Sequence, residues 1–143
     1  MSDIRTAVIT YLKTKSPITD LIGTGTSARI YHDRIKQGVS LPAVVIRYIS
    51  GDSETHLAGI VGNGSARLQI EAWATTPSGA YTLAEAIRVA PMLQYRGAMG
   101  AVTVQDVTTD NHWADEHELD DGTDQPSHRF LRDYLINYTE ATS

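Results

Sequence analysis

The sequence has no cysteine, a single phenylalanine, and no hydrophobic run long enough to cross a bilayer. The absence of thiols excludes disulfides, thiolate metal sites and cysteine nucleophiles. The first thirteen residues lack the long apolar core of a signal peptide, and the most apolar run spans only Leu41 to Ile46. We therefore expect a chain that is made and used in a soluble compartment, without a membrane partner.

Positive charge is also scarce. Twelve Lys and Arg residues are scattered among seventeen Asp and Glu residues, which gives a net charge of −5. Proteins that hold nucleic acid by its backbone neutralise phosphates with clustered basic side chains. The composition thus excludes that class and suits a surface past which DNA moves without being held.

The remaining composition is that of one globular domain, which we place over residues 1–143. The hydrophobic fraction is 41% and the charged fraction is 20%. A chain of this length buries about two thirds of its unfolded surface. Internal repeats and linkers between domains are absent from the sequence.

Three segments have helical patterns. Apolar residues at positions 4, 7, 8, 11 and 12 form the stripe of an amphipathic helix. Ser16 and Pro17 suit the N-cap and first position of a second, short helix. Thr76 and Pro77 begin the main helix, which Pro91 kinks or ends near Leu93.

The strand patterns predict the fold class. Strands are expected at 43–49, 66–74, 102–107 and 129–138, and Ile30 and Tyr31 suit a short edge strand. Long connections between strands and one central helix indicate an α+β fold with a mostly antiparallel sheet and helices packed on one face.

Two segments between these strands read as loops. The first is Ser50 to Ser65, which contains four glycines and also the apolar residues Leu57, Ile60 and Val61. The second is Asn111 to Gln125, which is rich in acids. Long loops of this kind are usually functional or order on binding.

The acidic segment is the strongest candidate for chemistry. It contains two histidines, His112 and His117, and six carboxylates: Asp115, Glu116, Glu118, Asp120, Asp121 and Asp124. These side chains suit divalent metals. However, the histidines are five residues apart, and the aspartates lack the alternating ligands of a calcium loop. We therefore interpret the segment as a charged loop, and predict no metal and no cofactor.

The sequence contains no catalytic signature. No glycine pattern of a nucleophile elbow surrounds any serine, and the Gly23-Thr24-Gly25 run follows a helix without a phosphate-binding lysine. We predict that the protein is not an enzyme and has no catalytic residues.

The strand at 66–74 has two distinct faces. Leu68 and Ile70 belong to the apolar face, whereas Arg67, Gln69 and Trp73 share the other. The second face is either a partly covered sheet surface or a subunit interface, where aromatic residues and arginine are enriched.

Four stretches together resemble the tail-completion, or tail-terminator, proteins of long-tailed phages and prophages. The resemblance covers most of the chain and consists of a Tyr-x-Asp to Leu-Pro segment, a Gln-x-x-x-Trp strand before a helix, a Gly-x-x-Gly turn and a closing aromatic strand. In this sequence these are RIYHDRIKQGVSLPAVVIRYISG (29–51), ARLQIEAWATTPSGAYTLAEAIRVA (66–90), YRGAMGAVTVQDV (95–107) and SHRFLRDYLINYTE (127–140).

The resemblance implies a structural virion protein that assembles in the host cytoplasm. It would form a ring, expected to be hexameric, at the head-proximal end of the tail. There it would cap the tube protein and meet the head-completion protein, while DNA passes through the lumen without specific binding.

Two sets of residues are candidates for this role. Residues proposed to contact a neighbouring subunit or the tube are Leu57, Ile60, Val61, Arg67, Gln69 and Trp73. Residues proposed to face the lumen are Asp115, Glu116, Glu118, Asp120, Asp121 and Asp124. Three alternatives stay open: a head-completion or adaptor ring, a small metal-dependent enzyme that uses residues 111–125, and a module that binds a small ligand on the second sheet face.

Overall fold

A computed structural model describes residues 4–34, 40–56, 59–92, 95–99, 102–118 and 126–140; within these ranges the side chains of residues 52–63, 90–91, 116–118, 126 and 140 are not described. These residues form three α-helices and one six-stranded sheet. The helices are α1 (Ile4–Leu12), α2 (Ser16–Ile22) and α3 (Pro77–Ile87), and the strands are β1 (Ile30–His32), β2 (Ala43–His56), β3 (Gly59–Ala74), β4 (Gly97–Met99), β5 (Val102–Glu118) and β6 (Pro126–Glu140).

The helix starts follow the sequence closely. The Thr76 hydroxyl accepts a hydrogen bond from the Gly79 backbone at 3.0 Å, so α3 begins where it was predicted. Helix α2 starts one residue earlier than predicted, because Ser16 is already helical and Lys15 is the capping residue. A π-helical turn, Arg88–Met92, follows α3 and contains Pro91.

The strands form one curled sheet in the order β1-β2-β3-β6-β5-β4. Strand β1 pairs in parallel with β2, and all other neighbours are antiparallel. The predicted α+β class, with a mostly antiparallel sheet and helices on one face, is confirmed. The predicted edge strand at Ile30 and Tyr31 is confirmed as well.

The helices cover one face of the sheet, which we call the helix-side face. Because side chains alternate along a strand, the even-numbered residues of β3 from Ala66 to Ala72 point into this layer. Leu68 is fully buried there with Leu83 and Ile87 of α3 and Tyr134 of β6. Burial of these apolar side chains drives the packing of helices on sheet.

The predicted loop at Ser50–Ser65 is wrong. Strands β2 and β3 continue through it as a hairpin, with Ser53 opposite Gly64 and His56 opposite Gly59. Gly51 and Gly64 lie within the paired strands, where the absence of a side chain serves packing rather than a turn. A Cβ atom on Gly64 would lie 2.9 Å from the Tyr138 ring, so glycine leaves room for the aromatic side chain.

The predicted loop at Asn111–Gln125 is wrong for its first half. Strand β5 runs on to Glu118 and pairs with β6 down to Pro126. The acids do not break the strand, since Asp115 lies directly opposite Arg129 and their opposite charges attract across the ladder. Residues 119–125 lie outside the described residues.

Candidate functional site

The sheet face opposite the helices, here called the helix-free face, is held by ion pairs. At its centre Glu71 of β3 is fully buried. Its carboxylate accepts hydrogen bonds from Arg47 Nε, from Trp73 Nε1 at 3.0 Å and from Arg129 Nη1 at 3.3 Å. A buried carboxylate requires such partners, because its charge is otherwise costly away from water.

Arg129 extends this cluster toward β5. Its Nε and Nη2 atoms donate to the two oxygens of Asp115 at 2.7 and 2.8 Å, and its guanidinium carbon lies 5.5 Å from the centre of the Trp73 ring. The Asp115 hydrogen bond, together with the charge of Glu71, raises the pKa of Arg129. We call Arg47, Glu71, Trp73, Asp115 and Arg129 the Glu71 cluster.

A second ion-pair cluster lies further along the same face. Arg67 donates to Asp110 at 2.5 Å and to Asp133 at 2.8 Å, and its hydrogen bond to Asp110 is the main cause of its raised pKa. Asp133 is 7% exposed. Its Oδ1 atom has no hydrogen-bond partner within the described ranges.

Next to Arg67 the curl of the sheet forms an open groove. Its volume is about 390 Å³, and β2, β3, β6 and β5 all contribute to its walls. Polar residues dominate the lining, which includes Ser50, Ser65, Arg67, Thr108 and Asn137. The groove is open to solvent and differs from the closed apolar pockets that hold small ligands.

The six proposed interface residues are placed as follows. Trp73 is buried within the single chain at 3% exposure, which supports the interpretation of a partly covered sheet surface at this position. Arg67 and Gln69 are half-buried on the helix-free face. Ile60 and Val61 belong to β3, but their side chains lie outside the described residues, as does Leu57 altogether.

Of the proposed lumen residues, the structure describes one fully, two by their backbone only and three not at all. Asp115 is 35% exposed and belongs to the Glu71 cluster, so it lies on a strand rather than in the predicted loop. Glu116 and Glu118 extend β5, with side chains outside the described residues, and Asp120, Asp121 and Asp124 lie outside them entirely.

Sequence patterns did not reveal the roles of Arg47, Asp110 and Asp133. Each lies on a different strand, so only the sheet register brings it to its partner. The sequence did contain a signal for these ion pairs. On one face, β3 carries Arg67 and Glu71, and the neighbouring strand β6 carries Arg129 and Asp133.

The described residues contain no group of three or more His, Asp or Glu side chains that could hold a metal ion. His112 instead stacks on Phe130, with ring centres 5.8 Å apart. Among the same residues, no helix is long and apolar enough to span a membrane.

The comparisons with known proteins identify a structural component of phage-like virions. The sequence profile of the family described as "Tail completion protein gp17" matches residues 6–132. This protein therefore belongs to the tail completion protein gp17 family, which is a family of structural proteins and not of enzymes. No curated protein matches the chain.

The fold is also present in a solved particle. A chain of the structure titled "Virion of native gene transfer agent (GTA) particle" superposes with a TM-score of 0.64. The match covers 95% of this chain and 94% of that chain, at 13% sequence identity. At this identity the likeness establishes a shared fold over nearly the whole length.

Proposed function

We propose that the protein forms a ring, expected to be hexameric, that caps the phage tail tube and joins the tail to the head. The family match over residues 6–132 carries this proposal. The virion particle of the structural relative supports it, because a chain of the same fold and length occurs in an assembled particle.

The sheet is suited to repeated contacts between copies. Its two edges are different strands, β1 and β2 on one side and β5 and β4 on the other. A contact between unlike edges is heterologous, and such a contact repeated about an axis closes into a ring when the rotation permits.

The proposal assigns roles to two sets of residues, those that would contact a neighbour and those that would face the lumen. Leu57, Ile60 and Val61 would contact a neighbouring subunit or the tube protein, together with Arg67 and Gln69. The acidic segment from Glu116 to Asp124 would face the lumen, where like charge repels DNA and prevents it from adhering. Asp115 and Trp73 have mainly structural roles in the Glu71 cluster.

The test is binding of the purified protein to isolated tails and, separately, to emptied heads. We expect the protein to bind at one end of tails that lack it and to restore their joining to heads. Binding to emptied heads but not to tails would contradict the proposal and favour a head-completion ring. Tails that join heads equally well without the protein would also contradict it.

A further inference from the structure

Each edge of the sheet carries one short outer strand, and these two short strands lie at opposite ends of the sheet along the strand direction. Strand β1 covers β2 only from Val44 to Ile46, which leaves the outer side of β2 beyond that point without a neighbouring strand among the described residues. On the other side, β4 covers β5 only from Val102 to Val104. Within the part of the chain that the structure describes, each edge thus has a three-residue strand and a longer stretch without a neighbouring strand.

The register places the short strand of each edge at the same height as the uncovered stretch of the other edge. Tyr31 of β1 pairs with Val45, which pairs with Glu71; Glu71 in turn pairs with Leu131, which pairs with Trp113 of β5. Tyr31 and Trp113 therefore lie at the same height along the strands. The short strand of one edge therefore matches the unpaired stretch of the other. In the same way β4 lies at the height of the β2 residues near Ser53.

We propose that β1 of one copy pairs with β5 of the next copy, in antiparallel direction, so that the sheets of neighbouring copies join. The inference rests on the proposed ring. Strands β1 and β5 run in opposite directions in one copy, and a rotation about an axis along the strands preserves these directions. The contact is then an ordinary antiparallel ladder added to an open sheet edge.

The side chains in this register are complementary. With Tyr31 opposite Trp113, which is 40% exposed, two aromatic residues meet on the helix-free face. Burial of these two rings between neighbouring copies favours this register and this partner strand.

The exposure of β5 supports the same surface. Seven consecutive residues from Thr108 to Ala114 are exposed. An exposed edge strand with a large apolar side chain tends to pair with another chain. The register shift between Thr109 and His112 interrupts the regular ladder and would limit this pairing to the residues from His112 onward.

The absence of cysteine allows a direct test of the contact. A tagged His32→Cys chain is mixed with an untagged His112→Cys chain, assembled on isolated tails and oxidised under mild conditions. Both histidines are exposed and lie at the same height in the proposed ladder. Mixing two single variants excludes cross-links within one chain, and a disulfide forms only when the two Cβ atoms are about 4 Å apart.

The matched control replaces His112→Cys with Thr82→Cys, an exposed position on α3. We expect at least ten-fold more covalent heterodimer from the 32/112 pair than from the 32/82 pair. Equal yields on tails that carry both chains would overturn this interface while leaving the ring intact. Chains that do not bind to tails at all would contradict the proposed function, and this inference with it.

A charge placed in the aromatic contact provides an independent measurement. Trp113→Glu would put a carboxylate opposite Tyr31, where burial between copies is costly. Because Trp113 is 40% exposed in the single chain, we expect at least ten-fold weaker assembly on tails with a nearly unchanged melting temperature. Thr82→Glu, at an exposed position on α3, changes the charge equally and should leave assembly unaltered. Equal assembly by the two variants would overturn the proposed register.

Discussion

The two faces of one sheet are stabilised by different forces. The helix-side face is an apolar layer in which Leu68, Leu83 and Ile136 are fully buried. On the helix-free face the buried centre is a carboxylate, Glu71, between Arg47 and Arg129. The comparison shows how a two-layer protein limits the exposed apolar area of its second face: paired long side chains lie over the sheet where a second helical layer would otherwise be required.

The largest expected effect is a cavity on the helix-side face. Leu68→Ala should lower the free energy of unfolding by about 2–5 kcal/mol, because the removed side chain is fully buried and its site cannot collapse completely. Urea denaturation measures the change. The matched control is Gln69→Ala, one residue along the same strand on the other face, for which less than about 1 kcal/mol is expected. Similar losses for both would mean that the two faces do not differ.

The helix-free face can be broken at its centre. Glu71→Gln removes the charge that two arginines share, and we expect a loss of about 3 kcal/mol, at the low end for a broken buried ion pair. The loss is limited because Arg47 is 40% exposed and Arg129 keeps Asp115. Urea denaturation again measures it. A neutral result would show that the Glu71 cluster does not stabilise the fold.

A pH titration separates the faces further, because Tyr134 is buried on the helix-side face. Burial raises the pKa of Tyr134 to about 12, above its ordinary value of 10.0. Its contribution to stability is therefore complete below pH 10 and is lost as the pH rises from 10 toward 12. We expect the melting temperature of Tyr134→Phe to fall less between pH 10 and 12 than that of the unmodified chain. Identical pH profiles in thermal unfolding would contradict the assignment.

The smallest effect is expected in the acidic segment. Asp120, Asp121 and Asp124 follow one another closely in the sequence, and solvated like charges contribute little to stability. Replacing all three with Asn should therefore leave the melting temperature nearly unchanged. Calorimetry checks this. A loss of several degrees would indicate that these carboxylates hold an ion or a buried network.

Periodicity predicted the fold well and the site poorly. The alternation in β3 gave the correct helix-side residues, and Thr76 with Pro77 gave the start of α3. The hairpin of β2 and β3 was missed because glycine packing under Tyr138 has the same local pattern as a turn. Asp115 was taken for a loop residue because its partner Arg129 is fourteen positions away and only the register brings the two together.

The most direct test is electron cryomicroscopy of the head-proximal end of tails assembled with the protein. We expect one closed ring of this fold, with β1 of each copy beside β5 of the next and the tail tube beneath it. Tail ends on which the protein is absent, or bound as separate single copies around the rim, would contradict it.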